Sequence, residues 1–359
     1  MKFESSIFAG AHPPGSMMKL QIHLTNPESP RDISALNSLL RKVEIAKIQT
    51  LVVFGKTDGT ATLEDETRKA AQESASAVIE RTGGNFLRER SWYIFSTGCE
   101  GIATPVCVAI AATSVSGSHS SSEVGLVVGA ARSAFLPDEK RCTRDHVLVA
   151  ADCIKQAMAN GSISAEDVSL VLIKSPVRLY PGGPGGLYAR STGASRGAAA
   201  LGSALALGEM AVDSLPNDPL HSCADFASRT MAFSGTEVDC VEAIVFGIRK
   251  GGDPDWIVTQ TILQDLLDIE GALKIRKPEG FDPLVVLFKA GIATNGKLRG
   301  RRTTIFSGDL PPDKHLRAAA SGFIGAAFGH VDSFISGGAE HQGPEGSCLC
   351  TILWKRATG

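Results

Sequence analysis

Leu51-Val52-Val53-Phe54-Gly55-Lys56, Leu170-Val171-Leu172-Ile173-Lys174 and Val285-Val286-Leu287-Phe288-Lys289 are three versions of one short run. Each is apolar, rich in branched side chains, and ends in a lysine. Continuous runs of this kind are expected of strands buried on both faces. The lysines stand 118 and 115 residues apart, close to a third of the 359-residue chain. Beyond each lysine an arginine opens a small-residue helix: Thr67-Arg68-Lys69-Ala70-Ala71, Ser195-Arg196-Gly197-Ala198-Ala199, and Leu316-Arg317-Ala318-Ala319-Ala320. A guanidinium near a helix start opposes the macrodipole, so helix stability gives no reason for it. A serine in a glycine-containing turn, followed by a glutamate, comes third. The versions are Ser96-Thr97-Gly98-Cys99-Glu100, Ser234-Gly235-Thr236-Glu237 and Ser336-Gly337-Gly338-Ala339-Glu340, and the middle one reads as one residue shorter. Three elements in the same order, three times over, predict an internal triplication. The units are 1–113, 124–250 and 255–359. Their boundaries fall in the Ser/Gly/Pro-rich stretch 114–123 and around Lys250-Gly251-Gly252-Asp253-Pro254-Asp255.

Composition narrows the class. Lys plus Arg number 36 against 38 for Asp plus Glu, a net charge of −2, which excludes a dedicated nucleic-acid binder. With 43% hydrophobic and 21% charged residues the chain is globular rather than disordered. No apolar run reaches the ~18 residues of a membrane span, and the first residues do not read as a secretory signal. The eight cysteines are scattered and form no CxxC pair, so they read as buried thiols in a reducing cytosol rather than as a zinc site. Glycine is abundant, 38 residues, as expected where turns are tight and backbones approach closely.

Three like units suggest packing about a pseudo-threefold axis, with an α/β fold whose strand ends converge on one site. Such a site would offer three lysines, three arginines and three serine turns to a small, flat, oxygen-rich ligand. The fork of a guanidinium and the N–H groups of a turn suit ring carbonyls. A serine hydroxyl becomes a nucleophile once a base takes its proton, and a lysine can be that base when burial and cationic neighbours depress its pKa. Attack on an amide carbonyl is the chemistry this pairing supports. A non-catalytic ring-binding protein with the same cage is the alternative.

Other motifs carry less. Gly55-Lys56-Thr57 lacks the earlier glycine of a P-loop, because that position is Thr50. Tyr180-Pro181-Gly182-Gly183-Pro184-Gly185-Gly186 does not have dinucleotide spacing and reads as a mobile loop near the site. His341 is equally well a structural hydrogen-bonder or a catalytic part. Gly300-Arg301-Arg302 reads as a solvated or oligomer-interface face.

The segments Ser195-Arg196-Gly197-Ala198-Ala199-Ala200-Leu201-Gly202, Gly296-Lys297-Leu298-Arg299-Gly300-Arg301-Arg302-Thr303 and, above all, Ser336-Gly337-Gly338-Ala339-Glu340-His341-Gln342-Gly343-Pro344 resemble the cyanuric acid hydrolase/barbiturase family of ring-opening amidohydrolases. The resemblance implies three α+β units around a pseudo-threefold β-barrel with helices outside. It also implies a cyclic imide substrate, no organic cofactor, and a homo-oligomer, usually a tetramer. The expected reaction is opening of cyanuric acid to carboxybiuret, which decarboxylates to biuret, as in s-triazine degradation; barbituric acid to ureidomalonic acid is the alternative. Carried over by position, Ser96 pairs with Lys56, Ser234 with Lys174, and Ser336 with Lys289. The middle pair, Ser234 and Lys174, is then the catalytic dyad. Arg68, Arg196 and Arg317, with Thr97, Gly235 and Gly337 in the turns, line the ring. A structural Mg or Ca ion is implied at the third turn, through Ala339, Glu340, Gln342, Gly343 and Gly346. Two positions depart from the family pattern: Phe233 precedes Ser234 where a small residue is expected, and Gly291 stands where an acidic residue is expected after Lys289.

Overall fold

The lysine-ended runs form the central strands of three separate sheets. The computed structural model describes residues 16–357 apart from 63, 116–122, 179–184, 216–223, 276 and 330–331. The stretch from Tyr180 to Pro184 and Cys223 therefore lie outside the described residues. In the first unit the strands are β1 (Met17–Thr25), β2 (Ile48–Thr57), β3 (Ser91–Thr97) and β4 (Val106–Val115), with helices α1 (Ser34–Leu40) and α2 (Thr67–Arg88). In the second they are β5 (Val124–Arg132), β6 (Val168–Pro176), β7 (Thr230–Gly235) and β8 (Glu242–Lys250), with α3 (Arg144–Gly161) and α4 (Gly185–Ala206). The third has β9 (Trp256–Leu263), α5 (Ile269–Leu273), β10 (Phe281–Ala290), a small hairpin of β11 (Lys297–Leu298) and β12 (Arg301–Arg302), α6 (Pro312–Phe328), β13 (Ser333–Gly337) and β14 (Cys348–Arg356).

Each four-stranded sheet has the same plan. The orders are β1-β4-β2-β3, β5-β8-β6-β7 and β9-β14-β10-β13. The lysine strand pairs antiparallel with the last strand of its unit and parallel with the strand that leads into the serine turn. A parallel neighbour needs a crossover, and α2, α4 and α6 supply it.

Side-chain alternation divides the core. On β2, Val52 and Phe54 point into a central core shared by the three units, whereas Leu51 and Val53 point to an outer core under α1 and α2. On β10, Val285 and Leu287 face the centre, and Val286 and Phe288 face α6. With a period of two, Lys56 and Lys289 must fall on the inner face. At the centre Phe54 stands edge-on to Phe246 and Phe334, with ring centroids 6.3 and 6.1 Å apart, and Phe233 stands edge-on to Phe334 at 5.2 Å.

The barrel expectation needs correction. Among the described residues, ladder hydrogen bonds join strands only within each sheet, so no closed barrel forms. β3, β7 and β13 are sheet edges, and an edge strand has unpaired carbonyls. Lysines from the next sheet serve two of them: Lys174 Nζ donates to Phe95 O at 2.9 Å, and Lys289 Nζ to Ala232 O at 2.7 Å. The turn between β8 and β9 also links units, because the buried Asp253 accepts from Leu20 N–H at 2.7 Å and pairs with Lys19. Among the described residues no helix is long and apolar enough to cross a membrane. Among the described residues seven cysteines are free thiols, five of them buried.

Candidate active site

The helices do not all begin where the small-residue runs suggested. α2 starts one residue before Arg68, but α4 starts at Gly185, so Arg196 lies in its second half. Glycine and small residues upstream of Ser195 continue the helix instead of forming loop. The three arginines nevertheless share one role. Arg68 Nε donates to Glu237 Oε2 at 3.0 Å. Arg196 grips both oxygens of Glu340 at 2.8 and 2.7 Å. Arg317 grips both oxygens of Glu100, with Nη2 to Oε1 at 2.7 Å. The ring runs from unit one to unit two, from two to three, and from three back to one. Guanidinium–carboxylate pairs are directional, two of these being two-point forks, and they fix how the units meet.

No spacing in the sequence says which glutamate an arginine will meet. The signal of a pairing is present: each turn repeats a glutamate, and each helix repeats an arginine with no helical reason to be there. The turn glycines have a related cause. Gly98 has φ +95° and Gly338 φ +74°, and a Cβ at either would sit 2.6 or 2.2 Å from the guanidinium of Arg317 or Arg196. At these two positions glycine admits an arginine from another unit.

Two of the expected Ser–Lys pairs form. Lys56 Nζ lies 3.2 Å from Ser96 Oγ and donates to Thr97 O at 2.6 Å. Lys289 Nζ lies 3.2 Å from Ser336 Oγ. In both units the parallel ladder sets the two residues side by side, Lys56 with Ser96 and Lys289 with Ser336.

The middle unit is different. Its ladder pairs Lys174 with Phe233 and Ser175 with Ser234. The middle turn is therefore not shorter; counted back from the shared Gly-x-Glu, Phe233 occupies the serine position and Ser234 matches Thr97 and Gly337. Ser234 falls on the outer parity of β7, and its hydroxyl donates to Thr192 O on α4 at 3.0 Å. Lys174 Nζ reaches only the main-chain carbonyl of Ser234, at 3.2 Å, and makes its closest contact with Glu237 Oε1. The structure does not bring the Ser234 hydroxyl to Lys174. Phe233 instead lies under Lys289 Nζ, which is 5.0 Å from its ring centroid.

Burial drives the electrostatics. All three lysines are at most 2% exposed. Desolvation, with Arg317 nearby, pushes Lys56 down to about 7. Lys174 falls to about 8, because burial and Arg68 outweigh the opposing pull of Glu237. Burial and Arg196 hold Lys289 well below the usual lysine value. Burial alone would raise Glu237, but Lys174 and Arg68 outweigh it and hold its carboxyl below the usual range. A buried amine that is neutral near pH 7 can accept a proton from a hydroxyl.

The third turn does not fit a cation through the side chains expected there. Both Glu340 oxygens carry Arg196, and Gln342 Oε1 accepts Ala232 N–H at 2.8 Å while its amide donates to Gly338 O and Glu340 O. Ala339, Gly343 and Gly346 have only main-chain oxygens to offer. No cluster of three or more His, Cys, Asp or Glu side chains occurs among the described residues. His341 Nδ1 is within 3.0 Å of Asp225 O, a link from unit three to unit two.

Comparison with known proteins places this geometry. The family described as amidohydrolase ring-opening protein matches residues 21–182 and 184–355. A cyanuric acid amidohydrolase of Azorhizobium caulinodans is 30% identical over 357 residues, covering 94% of this chain and 99% of the relative. A cyclic amide hydrolase of the same organism is 28% identical over 357 residues, covering 90% and 96%. A crystal structure of the cyanuric acid hydrolase from A. caulinodans superposes with a TM-score of 0.84 at 29% identity, covering 95% of this chain and all of the other.

Proposed function

The chain belongs to the ring-opening amidohydrolase family, a cyclic amide hydrolase by descent, and from that premise we propose that it opens cyanuric acid. Water adds across one ring amide to give carboxybiuret, which loses carbon dioxide to leave biuret. The observation that carries the reading is the threefold recurrence of a buried lysine beside a cross-unit Arg–Glu pair: Lys56 with Arg317–Glu100, Lys174 with Arg68–Glu237, and Lys289 with Arg196–Glu340. Cyanuric acid repeats its carbonyl and N–H three times around a flat ring, so equivalent lysine arms meet equivalent edges. A serine hydroxyl attacks the carbonyl and a neutral lysine takes its proton. The Arg–Glu ring holds the arms in register during that attack. The metal implied by the resemblance has no step in this reaction.

A second reading has one observation in its favour. Phe233 removes a hydroxyl from one arm, and barbituric acid replaces one ring N–H by CH₂. That ring would present its apolar edge to the altered arm and open to ureidomalonic acid. Steady-state kinetics of the purified protein on both rings, followed by loss of ring absorbance, separates the two. Higher kcat/KM on cyanuric acid is the expected result. A barbituric acid preference supports the second reading, and inertness toward both defeats the proposal.

A further inference from the structure

Three arms do not make three equivalent nucleophiles in this chain. In the middle unit the ladder position beside the lysine is held by Phe233, which has no hydroxyl, and the hydroxyl of Ser234 points to α4. That leaves Ser96 and Ser336, each 3.2 Å from a lysine Nζ. These two differ in access. Ser336 is 7% exposed and its hydroxyl also lies 3.4 Å from Gly337 O; both lysines lie over a phenyl ring, Lys289 over Phe233 and Lys56 over Phe334. Ser96 is only half-buried. Both turns have a guanidinium from another unit beside them, Arg317 against Gly98 and Arg196 against Gly338, so access is what separates the two serines. From this placement we infer that Ser96 is the nucleophile and Lys56 its base, so that catalysis resides in the first unit rather than the middle one.

The inference rests on the cyclic amide reading above and assigns its atoms. Ser96 Oγ forms a bond to a ring carbonyl carbon while its proton passes to the neutral Lys56 Nζ. The carbonyl electrons move onto oxygen. When they return, the C–N bond breaks, the leaving nitrogen takes the proton from Lys56, and the opened ring of cyanuric acid is a carbamate ester on Ser96. A water molecule then adds to that ester, its proton going to Lys56 and then to Ser96 Oγ as the product acid leaves. One water is consumed, and both residues are restored. Lys56 suits the role, since burial and Arg317 bring it to about 7. A base that is half neutral at working pH combines availability with driving force.

A fluorophosphonate probe separates this assignment from the choice of substrate, because it phosphonylates an activated serine, with loss of fluoride, whether or not either ring is turned over. The full-length protein is labelled, digested and mapped by mass spectrometry. The expected adduct is on Ser96, is absent in Ser96→Ala and Lys56→Met, and forms faster as pH rises through about 7. In ring-opening assays Ser96→Ala should lose about 10³-fold or more in kcat, at least a hundredfold more than Ser234→Ala or Ser336→Ala. Thermal melts of each variant confirm that it is folded. An adduct on Ser234 or Ser336, or no adduct at any of the three serines, overturns the assignment. A labelled Ser96 in a protein inert toward both rings leaves the assignment standing and counts against the proposed substrate.

Discussion

In the first and third units a serine hydroxyl meets the lysine of its own sheet, whereas in the middle unit a phenyl ring stands in that place and the lysine turns to a carboxylate. The backbone plan is the same in all three, down to the parallel ladder beside the lysine. The difference is one side chain at one inward position, Phe233 where the other units have Ser96 and Ser336, and the charges around it differ as well. Glu237 carries two cations, Arg68 and Lys174, while Glu100 and Glu340 each form their closest ion pair with one arginine. An arm built to bind and an arm built to react can thus share a fold while differing at a single inward position.

Lys174→Met should break the comparison most severely. It strips one of two cations from a carboxylate whose side chain is 4% exposed; breaking a buried pair from one side costs about 3–5 kcal/mol, and the remaining Arg68 holds the loss to the lower end. Lys289→Met removes an amine that has no carboxylate in contact among the described residues and should cost much less. Urea denaturation of the two variants checks this, and equal losses would show that the middle lysine is not specially paired.

Phe233→Ser would give the middle arm the hydroxyl of its neighbours. Losing the ring from its edge-on contact with Phe334 should cost about 3 kcal/mol of stability. The same change should move the cyanuric-to-barbituric ratio of kcat/KM toward cyanuric acid by about tenfold, the worth of one well-placed hydrogen bond. An unchanged ratio would mean that this arm does not contact the ring.

The depressed lysines also make stability depend on pH. Between about 7 and the ordinary lysine value of 10.5, the unfolded chain holds a proton on Lys56 that the folded chain has released. Raising pH through this window therefore favours the folded state, by about 2 kcal/mol between pH 7 and 9. Below about 7 the folded state must carry the buried charge as well, and this contribution is gone. Melting temperatures across the range should rise, and the rise should be smaller in Lys56→Met. A flat profile in the wild type would show that the lysine stays protonated.

Ser234→Ala is the mildest test. It deletes one hydrogen bond to Thr192 O and should cost about 1 kcal/mol. A collapse of activity comparable to that of Ser96→Ala would restore the middle unit as the reacting one.

The amino-acid sequence alone determined the triplication, the strand–lysine, arginine–helix and serine-turn order, the α/β class and the family. These are legible because they are local: a buried strand declares itself by a continuous apolar run, and repetition multiplies a weak signal. It also contained the clue to the middle turn, since counting back from Gly-x-Glu sets Phe233 beside Ser96 and Ser336; matching serine to serine hid it. Tertiary structure decided what no spacing could. Which arginine meets which glutamate depends on how three sheets are arranged about an axis, and the partners are 144 to 217 residues apart. The open edges in place of a closed barrel were likewise settled by packing. So was the commitment of Glu340 and Gln342 to Arg196 and Ala232, because a side chain's partner is fixed by the neighbours that folding brings to it.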